Sequence, residues 1–156
     1  MADNLLSEEE SLLRNTVRDY SNDVLAKRAA DYDDSGLFPW DNFKELGDMG
    51  LLGLGIAEEY GGSGGTTRLV ALAAEEIARG CAATSVVYIA HFSLCAQFIN
   101  RYGSEDQKRE YLPDLASGKK AGAFQLTEPG AGSDAAALTP NSVRANGHLV
   151  VTGNKT

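Results

Sequence analysis

Ala123-Phe124-Gln125-Leu126-Thr127-Glu128-Pro129-Gly130-Ala131-Gly132-Ser133-Asp134 is the stretch around which the rest of the chain arranges itself. Its first residues are mostly apolar and read as a buried strand. The run then breaks at Pro129-Gly130. Pro presets φ at the second turn position, and Gly supplies the positive φ that a type II turn needs at the third. Gly132 lacks a Cβ, so a ligand can approach the main chain there. Thr127 and Ser133 flank the turn with hydroxyls, and successive N–H groups in such a turn can form a concave nest for an anion. The stretch offers donors and close backbone approach but no strong nucleophile. A tight surface turn that binds nothing is the other reading of the same residues.

Gly130, Gly132 and Ala135 also fit the G-x-G-x-x-A dinucleotide fingerprint, but the context excludes it. Pro129 separates the strand from the glycines. Only Asp134 to Leu138 follow before Thr139-Pro140, too few for the required helix. No Asp or Glu occurs after Asp134, so the acidic ribose ligand is missing.

The chain of 156 residues can hold one core, or one domain plus the start of another. A formal charge of −8 lacks the basic footprint of non-specific nucleic-acid binding, and it disfavours an anionic membrane surface. No apolar run is expected to approach the roughly 20 residues of a membrane span. Met1-Ala2-Asp3-Asn4 is acidic and polar, unlike the basic start of a secretory leader. Cys81 and Cys95 lack C-x-x-C spacing and read as free thiols in a reducing compartment. No metal-ligand set is expected.

Ser7-Glu8-Glu9-Glu10 is a capping box, and Leu13, Val17, Tyr20 and Val24 recur at helical spacing, which predicts a helix over 7–30. Asp31 to Gly36 should break it. A short second helix should begin near Pro39, with Trp40, Phe43 and Leu46 as its stripe and Gly47 or Gly50 as its end. Leu51 to Ile56 should pack inside. Four glycines in the five positions 61–65 make a loop, either a wall near a substrate mouth or a flexible connector. Thr66 or Thr67 should cap a third helix that buries Leu69, Val70, Ala73, Ala74 and Ile77, with Gly80 just past its end. Glu75 and Glu76 are adjacent, so they point about 100° apart on a helix and read as ion-pair partners rather than a catalytic pair. Residues 84–102 are apolar on nearly every side and predict a central, buried helix. His91 within it reads as a hydrogen-bonded core histidine. Ser104 to Gln107 is a second capping box, Tyr111 and Leu112 anchor that helix, and Pro113 should start a separate turn ending at Gly118. Beyond Pro140, Asn146-Gly147 is a hairpin signal between Val143/Ala145 and Leu149-Val150-Val151.

Leu126-Thr127-Glu128-Pro129-Gly130-Ala131-Gly132-Ser133-Asp134 resembles the signature of the acyl-CoA dehydrogenase family. Other segments resemble that family in the same order. These are the Gly-Gly loop after Glu58-Glu59 (with Ala57 where Pro is usual), Glu75 to Arg79, His91-Phe92-Ser93-Leu94, Tyr102 to Pro113, and Val151 to Lys155. The resemblance implies a mainly α fold: an N-terminal up-down helical bundle over 1–120, then the first strands of an antiparallel β-domain over 121–156, incomplete. It implies FAD as cofactor and α,β-dehydrogenation of an acyl-CoA thioester. A carboxylate base removes the α-proton and a hydride passes from the β-carbon to flavin N5. By motif position, Phe124, Gln125, Leu126, Thr127, Gly132 and Ser133 would bind the flavin. Ser133, Tyr88, His91 and Phe92 would contact substrate, the last three lining an acyl pocket. Glu128 is not assigned as the base, because the family's base comes from a C-terminal domain; turn scaffolding is its expected role.

The implied partners are an acyl-CoA, an acceptor of the electron-transfer flavoprotein type, and further copies of the full-length protein in a homo-oligomer. The implied compartment is the cytoplasm, or the mitochondrial matrix in a eukaryote after transit-peptide removal. These residues alone are expected to be inactive, with 121–156 poorly protected unless another chain completes the sheet. An acyl-CoA oxidase or flavin monooxygenase on the same scaffold, or a non-catalytic helical interaction module, are the alternatives.

Overall fold

The computed structural model describes residues 5–156, so the leader reading of Met1 to Asn4 lies outside the described residues. Helix α1 (Glu8–Tyr20) starts on the Ser7 capping box: the Glu10 N–H donates to Ser7 Oγ, and the Ser7 N–H donates to Glu10 Oε2 at 2.8 Å. It passes through a π turn (Ser21–Leu25) straight into α2 (Ala26–Ser35). The rod therefore runs past the predicted break at Asp31. The stop is Gly36, whose φ of +63° ends it in the left-handed conformation. The aspartates face solvent and do not interrupt the backbone ladder.

Helix α3 (Trp40–Asp48) follows Pro39 and buries Asn42, Phe43 and Leu46. Leu51, Leu52, Leu54 and Ile56 enter the core, as their run of apolar side chains predicts. The glycine loop is tied back rather than loose. The Gly55 N–H donates to the Gly64 carbonyl at 2.7 Å, and the Gly64 N–H to the Ile56 carbonyl at 2.9 Å. Tyr60 Oη donates to Glu105 Oε2 at 2.6 Å.

Helix α4 (Thr67–Gly80) is capped by Thr66 and packs along α1 and its π turn. Gly80 is its last residue rather than the position after it. Glu76, 1% exposed, is held by Arg18 through Nε at 2.9 Å and by Arg79 at 3.2 Å. Glu76 is thus an ion-pair partner, as its place on the helix suggested. Cys81 turns the chain into α5 (Ala82–Ile89), a second π turn (Ala90–Ala96) and α6 (Gln97–Tyr102).

This second rod corrects two expectations. By length and composition alone, Ala82–Tyr102 could cross a membrane. It is also not buried all round. Thr84, Ser85, Tyr88, His91, Phe92 and Ala96 face the bundle, while Val86, Leu94, Phe98 and Tyr102 are exposed. The bundle covers one face of the rod: Thr84, Ser85 and His91 are buried there together with Tyr88, Phe92 and Ala96, and Val86, Leu94 and Phe98 are left on the outer face.

Helix α7 (Glu105–Ala116) starts on the Ser104 capping box and carries Pro113 inside it. The predicted break at Pro113 is absent, because the helix simply continues and Ser117 Oγ donates back to the Pro113 carbonyl at 2.9 Å. Val17, Leu25, Phe43, Leu46, Leu52, Ile56, Ile77, Tyr88 and Leu112 form the center of the core. Each aliphatic or phenylalanine side chain among them contributes about 1.5–3 kcal/mol relative to exposure.

The chain divides into two compact units at Ala123/Phe124. The second holds a hairpin of β1 (Asn141–Ala145) and β2 (His148–Thr152), antiparallel, with Val143 opposite Val150. Asn146 and Gly147 turn it with φ of +51° and +79°, as a type I′ turn requires. Every strand residue is exposed, so this ribbon has no core of its own.

Candidate functional site

The residues flagged around Leu126 fold by local turn chemistry. The Ala131 N–H donates to the Glu128 carbonyl at 3.1 Å, and the Glu128 N–H donates to the Ala131 carbonyl at 3.0 Å. Pro129 and Gly130 close the corner between them. Gly130 is not left-handed, which rules out the expected type II turn. Pro129 sets φ in the normal way, and the reciprocal Glu128–Ala131 bonds close the turn without a positive φ at Gly130.

The expected buried strand is absent. Residues 124–127 belong to no strand, with Phe124 43% and Leu126 39% exposed. A strand is defined by a hydrogen-bonded neighbor, and here the neighboring contacts come from the chain's last residues. Lys155 Nζ donates to the Leu126 carbonyl at 2.8 Å, and the Thr156 N–H donates to the Thr127 carbonyl at 3.0 Å.

Glu128 is the hinge pin of this corner. Its Oε2 accepts from the Thr139 N–H at 3.0 Å and from Thr139 Oγ1 at 3.1 Å, and its Oε1 accepts from Lys155 Nζ at 2.8 Å. The Lys155 ammonium, then the Thr139 N–H, hold its carboxyl below the usual range. A carboxylate so occupied is an anchor, not a base. Lys155 and Thr139 were not singled out as site residues from sequence. Lys155 lay inside a recognised segment, but nothing local ties it to residue 128.

Phe124, Gln125, Leu126, Thr127, Gly132 and Ser133 are all exposed. A Cβ built at Gly130 or Gly132 would meet nothing within 4 Å, so main chain is open to an approaching group at both positions. Open glycine backbone, two hydroxyls and a half-exposed aromatic suit a flat ring carrying a polar, anionic tail.

The remaining flagged residues lie in the helical unit. Tyr88 is fully buried, its hydroxyl has no hydrogen-bond partner among the described residues, and burial pushes its pKa well up. His91 is 1% exposed and bonded through both ring nitrogens, as expected of a core histidine. Phe92 is buried but borders a surface groove of about 350 Å³ with Ser93, Gln97, Phe98 and Arg101.

Residues 7–119 match the family model described as acyl-CoA dehydrogenase, N-terminal domain. The short-chain specific acyl-CoA dehydrogenase of Clostridium acetobutylicum is 41% identical over 150 residues, covering 96% of this chain and 40% of that protein. The structure of butyryl-CoA dehydrogenase from Megasphaera elsdenii superposes with a TM-score of 0.89 at 32% identity, covering 96% of this chain and 40% of that one. An acyl-CoA dehydrogenase complexed with FAD from Bacillus anthracis gives 0.87 at 33% identity, covering 99% and 27%. The chain spans about 40% of the length of the first of these relatives.

Proposed function

This chain belongs to the acyl-CoA dehydrogenase family, and from that premise we propose that it is the N-terminal part of an FAD-dependent enzyme acting on acyl-CoA thioesters. FAD, when bound, supplies the hydride acceptor for α,β-dehydrogenation. The chain's own residues present the surface for it. Phe124 and Leu126 offer apolar contact to the ring. Thr127 offers a hydroxyl donor at its polar edge. The open main chain at Gly132, with Ser133 Oγ, would offer donors to the pyrophosphate, and Ser133 is also the candidate for contact with the CoA part of the substrate. Phe92, at the groove, is the stronger candidate for acyl contact, with Tyr88 and His91 buried on the same rod.

The single observation that carries this reading is the exposed corner, built on a satisfied Glu128 and left open at Gly132. None of these residues is placed to remove an α-proton, so the 156 residues alone are proposed to be inactive. Co-expression with the downstream coding region, followed by the visible spectrum, tests this. A yellow protein whose color is bleached by an acyl-CoA without oxygen uptake supports a dehydrogenase. A colorless assembled protein that refuses added FAD overturns the reading. Oxygen uptake on reduction points to the oxidase or monooxygenase instead.

A further inference from the structure

His91 sits at the junction of three segments. Its ring meets the Phe43 ring of α3 edge-on, with centroids 5.1 Å apart. Its Nε2 lies 3.1 Å from the Leu115 carbonyl, in the last turn of α7. Its Nδ1 accepts from the Gly122 N–H at 2.9 Å. A carbonyl only accepts and a backbone N–H only donates, so the two bonds together require the neutral Nε2–H tautomer. Gly122 approaches so closely that a Cβ there would lie 2.7 Å from both Cβ and Sγ of Cys95. A side chain at position 122 would therefore push this segment off the helix.

We infer that His91 is a positioning residue whose neutral imidazole latches Gly122 to the bundle and so fixes where the chain leaves the helices, just before Phe124. A second proton on the ring would turn Nδ1 into a donor facing a donor, and the latch would open. The consequence for cofactor seating rests on the proposed function; the latch itself does not. The groups around the ring are Phe43 from α3, the Leu115 backbone from α7, the Gly122 backbone, and Cys95 on the same π turn. Asp114, Lys119 and Lys120 lie on the flanking segments, where Lys119 and Lys120 both pair with Asp114, at 3.1 and 2.8 Å. Burial lowers the proton affinity of the ring, and the Leu115 carbonyl opposes it.

The test is amide exchange and ring ¹⁵N shifts on the 156-residue chain, titrated downward from neutral pH. The expected result is an Nε2–H ring and a protected Gly122 amide, whose protection falls in step with the His91 titration. His91→Gln keeps an acceptor and a donor, so protection should persist and the pH step should vanish. His91→Phe should lose roughly tenfold in protection at neutral pH, the scale of one hydrogen bond. An unprotected Gly122 amide in the unaltered chain, a ring in the other tautomer, or a pH step that survives in His91→Gln each overturns the proposal. The unaltered chain decides the first two, so a variant that fails to fold does not shield the idea. Added FAD, followed by polarization alongside, reports on the cofactor reading separately from the Gly122 amide.

Discussion

Gly80 lies against the main-chain carbonyl of Ser21: a Cβ at position 80 would sit 2.5 Å from that oxygen and 3.0 Å from Leu25 Cβ. Ser21 opens the π turn, and its carbonyl accepts from the Ala26 N–H. The end of α4 can therefore close on the first rod only where no side chain intervenes. Gly80→Ala should destabilize the bundle. Overpacking costs roughly 1–3 kcal/mol, which outweighs the ~1 kcal/mol that alanine gains in helix propensity. A lower urea midpoint at unchanged slope is the expected result.

Arg18 and Glu76 join α1 to α4 across 58 positions of sequence. Arg18→Met leaves the Glu76 carboxylate buried with Arg79 as its remaining partner. Because the Arg18 side chain is 37% exposed and Arg79 stays in place, the cost should fall below the roughly 3–5 kcal/mol of a fully buried pair. Glu76→Gln in the Arg18→Met background should recover part of the loss, because it removes the buried charge. Thermal melts of the two variants check the order.

His91 also predicts how the bundle responds to acid. Its folded-state pKa lies below the ordinary 6.5, chiefly through burial. The unfolded chain therefore takes up the proton first, and the stability tied to the neutral ring is complete above pH 6.5 and lost as pH falls below it. Urea midpoints across that window should decline, and His91→Gln should flatten the decline.

Lys155 bridges the Leu126 carbonyl and Glu128 Oε1, both at 2.8 Å. The Glu128 carboxyl is held below the ordinary 4.5, first by Lys155 and then by the Thr139 N–H. Its contribution to the corner is present above pH 4.5 and is lost as the pH drops through the lowered value. Lys155→Met should raise exchange at the Thr139 and Thr156 amides, and it should move the acid loss of the corner to higher pH.

Gly132 separates a binding role from a structural one. Its missing Cβ faces open space, so Gly132→Ala should change stability by less than about 0.5 kcal/mol. In the full-length enzyme proposed above, the same substitution should weaken FAD retention, as measured by release on dilution. Equal FAD retention would remove Gly132 from the proposed site.

Several parts of this molecule were legible from short stretches of residues. Ser7 with Glu10, and Ser104 with Gln107, announce two helix starts because both partners of each box lie within one turn. Asn146-Gly147 announces the hairpin because the two residues themselves adopt positive φ. Local text misled where continuity mattered. Asp31 to Asp34 looked like a break and Pro113 like a boundary, yet both lie inside helices whose ladders run on. The rod Ala82–Tyr102 looked buried all round because composition counts apolar side chains without saying which face meets the bundle.

Residues near one another along the chain thus settled two helix starts, their caps, the hairpin turn and the family signature, since those interactions close within a few peptide bonds. Packing alone decided that His91 would bond Gly122, 31 positions away, and that Lys155 would reach Glu128 across 27. It also decided that Gly80 would meet the Ser21 carbonyl. Such pairs form only once segments distant in the chain have packed together, and nothing in the text around either partner records where the other will stand.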